Sequence, residues 1–156
     1  MNPLVGQIEA VLKTSERDAA LQEALRLILA DFHSETGTIH LLDAQKQLLQ
    51  LSAQAGLPPQ LLDAVKTIPV GKGIAGQTVA QNKPVTICNL RTDTSGVAKP
   101  AARQTGVGGA LCVPMRKNGE LVGTFGIGTL RSHEYTPEET RRLEEVASMI
   151  ATKLTT

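Results

Sequence analysis

The sequence predicts an α+β fold built on an antiparallel sheet, and three observations predict it. The elements run helix, helix, hairpin, small helices, strand, hairpin, helix, without the β-α-β alternation of a parallel sheet. The segments 109–115 and 121–129 are joined at Lys117-Asn118-Gly119, where Asn-Gly supplies the positive φ angles of a tight hairpin. Two long segments, 16–33 and 137–154, carry aliphatic stripes at helical spacing. With 156 residues, 41% of them hydrophobic, the chain has material for one domain with a sizeable core.

Taken in order, Asn2-Pro3 is a cap followed by a first helical position. Leu4, Ile8, Val11 and Leu12 then fall on one side of a short amphipathic helix, within a segment 1–14 that is expected to dimerise. Residues 15–156 form the single domain. Ser15-Glu16-Arg17-Asp18 reads as a capping box with Asp for Glu, opening a helix with Leu21, Leu25, Ile28, Leu29 and Phe32 on its stripe. Residues 38–42 and 48–52 read as a hairpin, and one helical stretch follows from Pro58-Pro59 through Leu61, Leu62 and Val65. A short helix over 74–81 and a strand over 84–88 come next. The stretch 89–105 has no steady period and many turn formers, which predicts a long surface loop. Thr136-Pro137-Glu138-Glu139 combines N-cap, proline and capping-box glutamate, and launches a last helix bearing Leu143, Val146, Ala147, Ile150 and Leu154.

Composition excludes several functions. The formal net charge is +1, and the cations are scattered, so neither nucleic acid nor an anionic membrane is an expected partner. No apolar run reaches the roughly 20 residues needed to span a bilayer, and the first residues lack a signal-peptide pattern. A soluble, cytoplasmic protein is the expectation. Cys88 and Cys112 are too few for a disulfide framework, and with three His and no C-x-x-C or H-x-x-x-H spacing no metal site is read.

The stretch GKGIAGQTV, residues 71–79, matches G-x-G-x-x-G, the dinucleotide fingerprint, and its context fails that chemistry. The fingerprint needs a buried strand entering the first glycine, whereas LLDAVKTIPV is helix-like and then broken by Pro69. Asp93, placed near where a ribose-binding acid would be sought, sits in a polar loop rather than at the end of a parallel strand. Gln77-Thr78 stand where a P-loop needs Lys followed by Ser or Thr, and Val79 is one residue late for a kinase loop. The glycines are therefore expected to shape a tight helix entry, with Gly76 pressing that helix against a neighbouring backbone.

With these pieces placed, the chain resembles a known family. GKGIAGQTVAQNKPVTICNL, then GVGGALCVPMRKNGELVGTFGIGT and EYTPEETRRLEEVASMIATKL, are together similar to a GAF domain, a small-molecule sensor module of signalling proteins. The resemblance implies a sheet of order 2-1-5-4-3 or 2-1-6-5-4-3, a helical bundle on one face, a ligand pocket on the other, and dimers formed through terminal helices.

Alternation assigns the faces independently of that resemblance. Ile39, Leu41, Leu111, Val113, Phe125 and Ile127 fall on one side of the strands, while Thr38, His40, Ala110, Cys112, Thr124, Gly126 and Gly128 fall on the other. The aliphatic helices need the bulky face, so the small-residue face is left for a pocket. His40, Cys112, Thr124 and Gly126 are candidate ligand-binding residues on it, with Gly73 and Ile74 at the glycine-rich helix entry. Arg91, Thr92 and Arg103 on the long loop complete the set; for Arg91, Arg103 and Lys99 a solvated surface role is the competing expectation. For His40 it is an imidazole bonded to a backbone carbonyl. The three aromatics, Phe32, Phe125 and Tyr135, are assigned to the core or its edge, leaving no ring to stack on a flavin or nucleobase. No cofactor is expected.

Function is read from the same residues. Free methionine-R-sulfoxide reductases are enzymatic GAF proteins, and the resemblance puts their cysteine positions at Ala75 and near Arg103; neither is cysteine here. Bilin carriers attach through a cysteine commonly followed by His, whereas Cys88 precedes Asn89 and Cys112 precedes Val113. The N-K-F-D-E signature of cyclic-nucleotide-binding members is not recognisable, and Gly108-Gly109 replaces their cation and hydroxyl. The expectation is a non-catalytic sensor of an unidentified small molecule, signalling through its terminal helices to a homodimer partner or a downstream signalling protein. The alternative is an interaction or dimerisation module with a collapsed pocket.

Overall fold

In a computed structural model, which describes residues 3–14, 16–87 and 108–154, the alternation of bulky and small residues decides the layering. Strands β1 (Thr36–Asp43), β2 (Leu48–Ala55), β3 (Thr67–Pro69), β4 (Val85–Ile87), β5 (Ala110–Lys117) and β6 (Glu120–Gly128) form one sheet of order β3-β2-β1-β6-β5-β4. Every pairing is antiparallel. The five strands read from the sequence take the 2-1-5-4-3 order, and the sixth, β3, adds outside β2 rather than beyond the opposite edge.

Register brings like residues together. Ile39 faces Phe125, which faces Val113 on the other side, while Thr38 faces Gly126, which faces Cys112. Against the bulky side pack α1 (Pro3–Thr14), α2 (Arg17–Asp31) and α5 (Pro137–Leu154). Leu21, Leu25 and Ile28 of α2, Leu143 and Ile150 of α5, and Phe125 beneath them are fully buried. Each such side chain contributes about 2 kcal/mol of transfer free energy.

The stripe of α1 joins this same core: Leu4, Ile8 and Leu12 are buried with α2 and α5. The Asn118-Gly119 turn has φ of 54° and 81°, the geometry that closes the β5–β6 hairpin. At the start of α5 the capping box is reciprocal: the Glu139 amide donates to Thr136 Oγ1 at 3.1 Å, and the Thr136 amide donates to Glu139 Oε1 at 2.9 Å.

Two local expectations are corrected. The N-cap of α2 is Glu16, whose carbonyl accepts from the Ala20 amide at 2.7 Å and whose side chain makes no capping bond; Ser15 lies outside the described residues. The helical stretch read from Pro58-Pro59 through Val65 is a 3₁₀ turn (Pro59–Leu61) leading into α3 (Leu62–Lys66), and Thr67–Pro69, read as helix-like up to Pro69, is the strand β3. Pairing with β2 takes over there. The loop read over 89–105 lies outside the described residues, as does Cys88.

Candidate functional site

Glycine and alanine leave a cavity above the small-residue face. Gly126, Gly128 and Ala110 form its floor, and its volume is about 150 Å³. Over it lie Ile74 and Ala75 of α4 (Gly73–Gln81), together with Leu57, Val65 and Ile68 from the segment between β2 and α4. The helices of the core bury the opposite side of the same strands, so one alternating pattern builds both core and cavity.

The glycine-rich entry to α4 leads into Ile74 and Ala75, the residues of that helix that line the cavity. Gly71 and Gly73 have φ of 89° and 65°, and a Cβ on Gly76 would lie 2.5 Å from the Pro69 carbonyl oxygen. Bonds within the loop hold its shape: the Gly71 amide donates to the Gly76 carbonyl at 2.9 Å, and Gln77 Nε2 donates to the Gly71 carbonyl at 2.8 Å. The strand before it is a three-residue edge strand in an antiparallel sheet, so the geometry of a dinucleotide fingerprint is absent.

His40 is the polar group of the cavity wall. The residue is 1% exposed, and Nε2 lies 2.8 Å from the Val65 carbonyl oxygen. That carbonyl belongs to the last turn of α3, where carbonyls have no intrahelical partner, so the imidazole also completes a helix end. Burial pushes the His40 pKa below its ordinary value, with the Val65 bond pulling weakly the other way. Nδ1 is buried and has no hydrogen-bond partner among the described residues.

Cys112 also borders the cavity and is a buried free thiol. Burial pushes its pKa up to about 11, opposed by the nearby Thr78 and Thr124 hydroxyls. The Thr124 contact with sulfur is a weak one, since Thr124 Oγ1 has no partner of full hydrogen-bond geometry among the described residues. A sulfur in this setting is a thiol at neutral pH, not a thiolate nucleophile.

Of the sequence-predicted residues, His40, Ile74, Cys112 and Gly126 come together around the cavity. Thr124 does not line it: it is fully buried, opposite His40 and Pro114 in register and close to Cys112. Gly73 starts α4 without lining the cavity. Arg91, Thr92 and Arg103 lie outside the described residues. Leu57, Val65 and Ile68 were not among the candidates. Their apolar spacing on a short segment that had no other core to enter was the available signal. Among the described residues no cluster of three metal-ligating side chains occurs, and no helix is long and apolar enough to cross a membrane.

An antiparallel sheet with a helical core on one face and a lined cavity on the other defines a class of α+β domains. The chain belongs to the GAF domain family, whose model matches residues 14–154. No curated protein sequence matches it significantly. Among solved structures it is similar to the GAF domain of a phosphoenolpyruvate-protein phosphotransferase from Coxiella burnetii, with TM-score 0.81, 19% identity, and coverage of 97% of this chain and 90% of that one. It is also similar to the free methionine-R-sulfoxide reductase of Neisseria meningitidis bound to its substrate, with TM-score 0.79, 18% identity, and coverage of 96% and 85%. A type II free methionine-R-sulfoxide reductase from Thermoplasma acidophilum aligns with TM-score 0.72, 18% identity, and coverage of 88% and 92%. At these identities the likeness is one of fold.

Proposed function

We propose that this GAF domain is a non-catalytic sensory module that binds a small molecule in the cavity over the small-residue face and reports occupancy through its terminal helices. The carrying observation is His40, a buried imidazole on the cavity wall with one nitrogen anchored and the other without a partner among the described residues. Polar groups are few and fixed in sites that orient a ligand, and this one is held by a helix end.

Two features support the non-catalytic reading over the reductase one. Ala75, where the reductase resemblance places a cysteine, presents only a methyl group to the cavity. Cys112 keeps its proton, as its pKa of about 11 requires. The test is a pair of measurements on the full chain: melting temperature across a broad metabolite library, and NADPH-coupled turnover of free methionine sulfoxide with thioredoxin. The expected result is a ligand-dependent rise in Tm without turnover. Turnover at a rate set by enzyme concentration would replace this reading by the reductase one.

A second reading, a dimerisation module, is favoured by a groove between α1 and α5. Val5, Leu12 and Met149 line it, and both signs of charge stand beside them, with Lys13 basic and Glu145 acidic. A second copy related by a two-fold axis would set acid against base across this groove. Light scattering at tens of micromolar should give twice the mass of the chain; the monomer mass would remove the homodimer.

A further inference from the structure

Three glycines lie in the interior of the described strands, Gly37, Gly123 and Gly126. A glycine there costs stability, because it loses more freedom on folding than alanine and has no side chain to pack. Two of the three answer to packing. A Cβ on Gly123 would collide with the His40 carbonyl oxygen, and one on Gly37 would lie 2.6 Å from Leu25 Cδ1 and 3.2 Å from Leu29 Cδ2, both buried side chains of α2.

Gly126 has no such reason. Its φ lies outside the left-handed region, and a Cβ built on it would meet Thr38 Oγ1 at 3.2 Å, then Cys112 Sγ and the Leu111 carbonyl oxygen at 3.8 Å. The last two are ordinary van der Waals distances, and the first is the end of a partly exposed side chain that turns about one bond. Thr38 and Cys112 are the cross-strand partners of Gly126 on either side, so the position looks out between them onto the cavity that all three line. Neither backbone conformation nor packing calls for glycine here. In a strand, that leaves the close approach of another molecule as the reason for it.

Resting on the sensory reading above, we propose that Gly126 is the specificity-determining residue of the cavity: the bound molecule lies against its bare peptide, in the space a Cβ would take, flanked by the Thr38 hydroxyl and the Cys112 thiol. Selection is by shape. A group narrow enough to reach the strand backbone is accepted, and any side chain at 126 raises the floor and closes the site. Depth and stability are thus opposed at this position, and substitution should separate them.

The experiment compares the full chain with its Gly126→Ala, Gly126→Ser and Gly123→Ala variants, by melting temperature and by titration with benzene, a probe of the size that a cavity of about 150 Å³ holds. Gly126→Ala should raise Tm by about 1–4 °C, whereas Gly123→Ala should lower it. In the wild type, benzene should shift the amide NMR resonances of Gly126 and Cys112, and both substitutions at 126 should weaken its binding roughly tenfold or more by overpacking the site. A fall in Tm for Gly126→Ala would mean that the sheet itself requires the glycine, and would overturn the proposal. So would benzene affinity unchanged in both variants at 126, an outcome that leaves the pocket and the sensory reading standing. Wild-type protein that binds no benzene at Gly126 would overturn the open-pocket reading, and this inference with it.

Discussion

Arg116 on β5 clasps Asn82 at the end of α4, donating from Nε to the side-chain oxygen at 3.1 Å and from a terminal nitrogen to the backbone carbonyl at 2.7 Å. The other terminal nitrogen lies 3.6 Å from a carboxylate oxygen of Glu144 on α5. Asn82 is the left-handed C-cap of α4, so the two bonds hold a helix end whose carbonyls would otherwise face water. Ile74 and Ala75 on the same helix border the cavity. A single guanidinium thus joins the cavity wall to the helix on the opposite face of the sheet.

Arg116→Ala is expected to lower stability by about 1–2 kcal/mol, chiefly through the lost charge-assisted bonds to Asn82. Glu144→Gln should cost only a few tenths of a kcal/mol, because both partners of that ion pair are about a third exposed and solvent screens it. Urea denaturation of the two variants checks the ranking. If Glu144→Gln proved the more costly change, the connection would run through charge rather than through the helix cap.

Gly76 separates close approach from backbone conformation as the reason for the glycine motif. A Cβ there meets the Pro69 carbonyl oxygen at 2.5 Å and the Gly71 amide nitrogen at 3.0 Å, both backbone atoms that cannot turn aside. Gly76→Ala should cost about 1–3 kcal/mol by overpacking. Gly71→Ala meets nothing within 4 Å and is strained only by its φ of 89°, so roughly 1 kcal/mol is expected. Thermal melts of the two variants compare the costs directly, and a milder effect at Gly76 would mean that α4 can move away from the 69–71 backbone.

Much of this arrangement was legible because local rules agreed with the fold. Ile39, Val113 and Phe125 alternate with His40, Cys112 and Gly126, and a period of two translates directly into faces. Asn118-Gly119 and Thr136–Glu139 carry their geometry in adjacent residues, so turn and cap could be read without knowing their surroundings. What was not legible depends on partners distant in sequence. Thr67–Pro69 is too short to show a period and is a strand only because β2 offers it an edge. The anchor of His40 is a backbone carbonyl 25 residues away, and a carbonyl leaves no mark in a sequence. The stripe on α1 was visible, but which surface covers it was not, since α2 and α5 bury it within the same chain.

His40 should make stability depend on pH in a predictable direction. Its pKa in the folded protein is held below the ordinary 6.5 by burial, so the unfolded chain takes up a proton at a pH where the native imidazole is still neutral. The unfolded state then binds more protons across this window, and stability must rise with pH through it. The contribution is complete above about 6.5, is lost as pH falls from there toward the native value, and changes no further once the native imidazole protonates. His40→Gln, which keeps an N–H donor and removes the titration, should flatten this part of the profile. Urea midpoints from pH 8 to pH 5 for both proteins isolate the term, because His33 and His133 are common to both and cancel in the difference. Parallel profiles would mean that the imidazole is as easily protonated in the fold as outside it, and that burial does not hold it neutral.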